Sequence, residues 1–427
     1  MFEHPRDTLI TSARIIDPAT GYDEVGDLLI KAGKILDFGR NLGQPEGPTI
    51  IDASGMVLCP GLVDLRASLG EPGFEYRETI QSSAMAASAG GITTVAVLPD
   101  NAPATDDAAL VRALASAGDA TRRINILPYG AATRGCVGKT IAEYGLLRAA
   151  GAIAFTDGTR AIGSAALMRR ALSYARGFGA VIVQHPEEPS LAGGAATESA
   201  RATLMGLPGI PACAEAILIE RDLRLVELTG GMVHFAHIST GEALDLIRRA
   251  KARGINVTCD TAPPYFDLNE TAIGDFRTYA KLSPPLRMEE DRVAVVAGLA
   301  DGTIDAIVSD HQPRDADDKR LPFAEAAPGA SGLATLLAIT LAKVHGGELS
   351  MMAALALLTT RPGSLFGLDT GRIGKGRPAD LCLFAPEHAW LIQSGNLPGK
   401  AQNTPFDGRA VEGIVIGTWK AGRRVFG

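Results

Sequence analysis

Between about residues 56 and 350 the chain alternates short, β-branched apolar runs with helical stretches that close on glycine. The apolar runs are 57–64, 93–98, 124–129, 152–157, 180–185, 232–237, 255–260 and 304–310, which makes eight candidate strands. Helix-like segments such as 79–88, 164–176, 213–228 and 241–253 lie between them. Gly179 and Gly230 follow helical ends, where glycine relieves the left-handed closing turn, and Ser239 or Thr240 supplies an N-cap before Gly241. Strands apolar on both faces, each followed by a helix, predict an α/β fold, a parallel TIM (β/α)8 barrel; a doubly wound open sheet is the alternative arrangement of the same units.

The two ends read differently. Residues 8–54 and 371–427 carry short strands punctuated by Gly, Pro and Asp, with little helix, and predict one small β-domain built from both termini. The expected division is residues 1–55 and 366–427 for that β-domain and 56–365 for the barrel. The polar segment 312–320, after the last strand, is the expected mobile loop.

Composition narrows the class. With 427 residues, 46% hydrophobic and 21% charged, the chain can bury a large core. A net charge of −7 without clustered Lys and Arg argues against nucleic acid or an anionic membrane, leaving small molecules or proteins as partners. The N-terminal stretch has no apolar leader and no apolar run reaches the ~20 residues of a membrane span, so a cytoplasmic protein is expected. Cys59, Cys136, Cys213, Cys259 and Cys382 are scattered without a Cys-x-x-Cys pair and read as buried, reduced thiols.

In a parallel barrel, reactive residues sit at the C-terminal ends of strands. Polar residues collect there: Asp157, His185 with Glu187 and Glu188 behind it, His234 and His237, and Asp310 with His311. A single histidine at a strand end is usually hydrogen-bonded structure. Histidines and aspartates at four strand ends together are the ligand types of a zinc-like metal.

The runs Pro60-Gly61-Leu62-Val63-Asp64, Glu71-Pro72-Gly73, Ala89-Gly90-Gly91-Ile92-Thr93-Thr94, Ala236-His237-Ile238-Ser239-Thr240, Pro284-Pro285-Leu286-Arg287 and Asp305-Ala306-Ile307-Val308-Ser309-Asp310-His311 resemble, in order, the dihydroorotases of the amidohydrolase superfamily. The resemblance implies a barrel whose metal centre activates water on a dihydropyrimidine ring in pyrimidine synthesis, with one carboxylate handling the proton. It makes His185 and His237 metal-binding histidines, Asp310 the carboxylate that binds metal and moves the proton, and Asp157 a further metal-site carboxylate. The departures are as specific. Where the family carries His-x-His on the first strand, this chain has Arg66 and Ser68; the family's carboxylate-clamping arginine is Gly70, and two expected asparagines are Asp100 and Ser283. The last histidine of the family's Asp-His-x-Pro-His loop is Arg314.

Two function classes follow. One is a catalytically inactive dihydroorotase homologue, an oligomeric structural partner of aspartate transcarbamoylase, with no metal or at most one divalent ion, zinc. The other is an active cyclic amidohydrolase running on one metal held by His185, His237, Asp157 and Asp310. In either case Arg66 is expected to take over part of a missing cation's role by pairing with Asp310 or Asp157.

Overall fold

Strands Leu62–Ala67, Ile92–Val97 and Asn125–Pro128 pair in parallel. The third runs on through Tyr129 into Gly130–Ala131, which pairs with Phe155–Thr156. Ile182–Gln184, Val233–Phe235, Val257–Thr261 and Ala306–Ile307 follow in order, all parallel. A parallel bridge between Ala67 and His311, with a 2.8 Å hydrogen bond from the Ser68 N–H to the His311 carbonyl, closes the ring. An open doubly wound sheet keeps two free edges, so this closure decides for the barrel. The computed structural model describes residues 7–40, 42–43 and 47–427, and the expectation of no leader falls on residues 1–6, outside the described residues.

Helices start where side-chain caps allow. Thr79 and Ser82 form a capping box ahead of Ile80–Ala89, and Thr240 accepts from the Ala243 N–H ahead of Gly241–Ala252. Ser239, the other expected cap, donates instead to the buried Glu215 carboxylate.

The termini form one eight-stranded sheet: Thr8–Asp17, Tyr22–Lys31, Lys34–Gly39, Thr49–Asp52 and Val57–Pro60 join Leu381–Leu391, Ala410–Lys420 and Arg423–Phe426. Its core includes Ile10, Ile15, Leu28, Leu381 and Trp419. The apolar run 57–64 therefore holds two elements, not one. Val57–Pro60 pairs antiparallel with Leu381–Leu391, and the barrel begins at Leu62. Gly61 lies between them, where a Cβ would lie 2.2 Å from Thr93 Oγ1. Apolar continuity hid the break because both elements are buried.

The segment 312–320 is pinned rather than free. It holds a short helix, Ala316–Arg320, capped by Asp315, and Asn403 Nδ2 donates to the Gln312 carbonyl at 3.1 Å. Lys319 reaches inward to the carbonyls of Ala327 (2.8 Å), Thr278 (3.1 Å) and Lys281 (3.4 Å). Among the cysteines Cys213 is exposed, at the first turn of Cys213–Thr229, and the other four are buried. Among the described residues no helix is long and apolar enough to cross a membrane.

Candidate active site at the barrel mouth

The barrel delivers the expected side chains to one rim. His185 follows Ile182–Gln184 directly, while His237 and Asp310 sit just beyond Val233–Phe235 and Ala306–Ile307. His237 (φ 40°) and Asp310 (φ 45°) adopt left-handed backbone that non-glycine residues enter at a cost of about 1–3 kcal/mol. Surrounding structure holds the first of these turns. Asp260 accepts the His237 backbone N–H with one carboxylate oxygen and faces His234 Nε2 at 2.9 Å with the other.

Arg66 occupies the centre. Its side chain is 2% exposed, its Nε donates to Asp310 Oδ1 at 2.8 Å, and its Nη2 donates to the Gly158 carbonyl at 3.2 Å. Of the two carboxylates expected to meet it, Asp310 does. Burial raises the Asp310 carboxyl above its ordinary value, with Arg66 and the Gln312 amide (3.0 Å) pulling the other way. Asp64, one residue pair back along the same strand, accepts from the backbone of Ser309 (2.9 Å) and Arg66 (3.2 Å); burial nevertheless pushes it up to about 7.

The histidines face each other. His185 Nδ1 and His237 Nε2 are 3.0 Å apart, one donating and one accepting, and His185 Nε2 lies 3.4 Å from Glu187 Oε2. Burial, then the neighbouring Arg66 and His185, push His237 well below the usual imidazole range, so its ring is neutral. Burial raises Glu187, but His185, Arg287 and Ser283 outweigh it and leave the carboxylate below its usual value.

Asp157 is not brought into this cluster. It accepts from the Thr133 N–H at 2.8 Å and Thr133 Oγ1 at 2.6 Å, and burial raises it to about 6. Ser283 donates to Glu187 at 3.3 Å. Asp100 accepts from the Thr159 N–H at 3.0 Å and hydroxyl at 2.6 Å. Gly70 has φ +79°, and a Cβ there would lie 2.1 Å from the Glu78 carbonyl oxygen, so this backbone leaves no room for a side chain at the place of the clamp. Ser68 and Gly70 line a cavity of about 210 Å³ that Arg66, His185 and His237 do not reach.

These residues do not fit the family's metal centre. Two imidazole nitrogens at 3.0 Å offer two ligands, but Asp310, expected to join them, is bonded to a guanidinium, and a fixed positive charge stands beside His237. Among the described residues the one cluster of three metal-type ligands, His345, Glu387 and Glu412, lies on the exposed surface elsewhere.

Relatives place the fold and the lineage. A family model described as Dihydro-orotase-like matches residues 55–243. A dihydroorotase of Pelobacter propionicus is 43% identical over 419 residues, covering 98% of this chain and 99% of that protein. The chain belongs to the dihydroorotase family. Another family member, the dihydroorotase of Geotalea daltonii, is 42% identical over 417 residues, with 97% and 98% of the two chains covered. Among solved structures, the L-hydantoinase (dihydropyrimidinase) of Arthrobacter aurescens superposes with a TM-score of 0.88 over 98% of this chain and 96% of that one, at 24% identity, and shows a shared fold.

Sequence reasoning missed several contributors. Asp260 closes the seventh apolar run and looked like a strand boundary, yet it anchors both His234 and the His237 turn. Glu215 lies inside an ordinary helix and takes the backbone N–H groups of Ser239 and Thr240. An acidic residue on the buried stripe of an amphipathic helix was the available signal.

Proposed function

We propose that this dihydroorotase-family protein serves pyrimidine biosynthesis with its catalytic centre closed, as a structural partner of aspartate transcarbamoylase. One observation carries the reading: the buried Arg66–Asp310 pair at 2.8 Å, which commits the family's proton-handling carboxylate to a permanent cation. A general base must be free to take a proton, and a carboxylate held by guanidinium and amide is poorly placed to do so. The lack of room for a side chain at Gly70 supports the same reading from the side of substrate recognition.

A second reading has its own support. Full-length relatives at 43% and 42% identity carry the name dihydroorotase, which taken alone favours a working cyclic amidohydrolase over a partner role. In that case Arg66 would have to leave Asp310 before the carboxylate could act. The deciding experiment measures bound metal in the purified protein together with dihydroorotate turnover, alone and mixed with aspartate transcarbamoylase of the same organism. The closed-centre reading expects no turnover by the isolated chain and a larger co-eluting species in the mixture. Robust turnover by the isolated chain overturns it in favour of the second reading.

A further inference from the structure

We propose that His345, Glu387 and Glu412 hold one divalent transition-metal ion, of the zinc class, where the barrel's outer helix Leu336–His345 lies on the terminal β-domain. The three residues are exposed, and one ligand atom from each lies within 4.8 Å of the other two. This cluster shares no residue with the barrel centre.

Three separate elements bring these side chains together. Gly413 has φ +94°, and a Cβ there would lie 2.4 Å from Leu341 Cδ1, so the absence of a side chain lets the helix rest on Ala410–Lys420. His345 stands one turn beyond Leu341 on the same helix face, which carries its ring to Glu412, the neighbour of Gly413. On the adjoining strand Leu381–Leu391 the pairing steps from Ala385 opposite Ile414 to Ala389 opposite Glu412, so three residues bulge against Gly413 alone. Glu387 is the middle one of the three. Trp390 Nε1 fixes the bulge by donating to the Gly413 carbonyl at 2.9 Å.

The spacing is that of ligands rather than of a hydrogen bond. His345 Nδ1 lies 3.5 Å from Glu412 Oε2, beyond the ~2.7–3.2 Å of a good N–H···O bond. Two ligands of one tetrahedral zinc, at bond lengths of about 2.0–2.2 Å, stand about 3.4 Å apart. Among the described residues no lysine or arginine pairs with Glu387 or Glu412, so two gathered carboxylates repel each other and a cation between them would offset that. His345 also ends its helix, and positive charge is favoured at that end. One imidazole with two carboxylates suits zinc and leaves the fourth position to water, whereas magnesium and calcium select oxygen ligands. Such an ion would tie a barrel helix to two strands of the β-domain.

Calorimetric titration of the full chain with zinc chloride, after EDTA treatment and dialysis, tests the assignment, with magnesium chloride in a second arm. Saturable uptake of zinc at this site is expected, with weaker binding of magnesium and a zinc-dependent rise of the urea midpoint. Losing even an outer partner of a metal ligand costs about 10–100-fold in affinity, so His345→Gln and Glu412→Gln should each weaken zinc binding by at least about tenfold. His388→Gln, at an exposed histidine next to Glu387, should leave it unchanged. Glu412→Gln keeps the test valid if His345→Gln disturbs the helix end. Absence of zinc uptake at millimolar concentration, equal affinity for magnesium, or parental affinity in both variants overturns the proposal. So does uptake that His185→Ala removes and His345→Gln spares, which would put the ion in the barrel. The readout is binding at the outer surface, so the proposal stands or falls apart from the reading of the closed centre.

Discussion

The two sides of the barrel mouth have been treated differently. On the side of the fifth and sixth strands, His185 and His237 stand together, the strained turn at His237 is fixed by Asp260, and Glu215 holds the backbone after it. On the side of the first and eighth strands, a guanidinium has replaced imidazole and the carboxylate opposite has become its partner. A lost ligand normally leaves a buried charge exposed to its own desolvation cost, several kcal/mol per ion. Here the replacement carries that charge balance internally. The lesson is that the Arg66 side has been rebuilt around a charge-balanced pair, whereas the histidine side is held through neighbours that act on the backbone.

The largest effect should come from breaking the rebuilt side. Arg66→Met leaves Asp310 buried with only the Gln312 amide, and stability in urea should fall by about 3–5 kcal/mol. Arg66→Met combined with Asp310→Leu should recover much of that loss, because no unpaired charge remains. A loss below about 1 kcal/mol in the single variant would mean that the pair is solvated and does not close the centre. Converting the same side back, with Arg66→His and Ser68→His, should raise zinc uptake measured by elemental analysis while dihydroorotate turnover stays absent. Gly70 cannot take the clamping side chain, given its φ of +79° and the Glu78 carbonyl 2.1 Å from any Cβ. Fast turnover in that double variant would show that recognition had survived.

A somewhat smaller effect belongs to the loop beside both sides. Burial lowers the Lys319 ammonium to about 7, against an unfolded value near 10.4. Between those values the unfolded chain binds more protons, so the stability contributed by Lys319 rises with pH. Relative to Lys319→Met, the parent should gain about 2 kcal/mol between pH 7 and pH 9, at no more than about 1.4 kcal/mol per unit. A flat difference would show that the carbonyls of Ala327, Thr278 and Lys281, which favour the ammonium, hold the proton against burial.

The barrel was legible because its strands are apolar on both faces and its helices start at capping residues and close on glycine, which are local signals. The division at Gly61 was not, since the residues on either side are equally buried and only a close approach to Thr93 separates the two elements. The anchored loop at 312–320 looked mobile because polar composition does not reveal that Lys319 finds three carbonyls across the chain. At the site, the pairing of Arg66 with Asp310 or Asp157 followed from charge balance once the resemblance had placed the missing metal ligands, and the structure shows Asp310. The orientation of Asp157 did not, because turning toward Thr133 depends on a neighbouring strand's loop.

The smallest effect should be on the retained side. If His185 held a metal with His237, the folded state would be linked to that ion, and a chelator would lower stability by RT ln(1 + [L]/Kd), several kcal/mol for a tight site. With the two rings bonded to each other at 3.0 Å and Arg66 beside them, no such linkage is expected. His185→Ala should then cost about 1–2 kcal/mol, from the lost contacts to His237 and Glu187, and that cost should be the same with and without EDTA. The comparison of sides predicts a smaller loss here than in Arg66→Met, because Glu187, the carboxylate facing His185, keeps the Ser283 hydroxyl at 3.3 Å and the charge of Arg287. A chelator-sensitive denaturation midpoint in the parent, abolished by His185→Ala, would reverse the ranking and make the histidine side the working half of the centre.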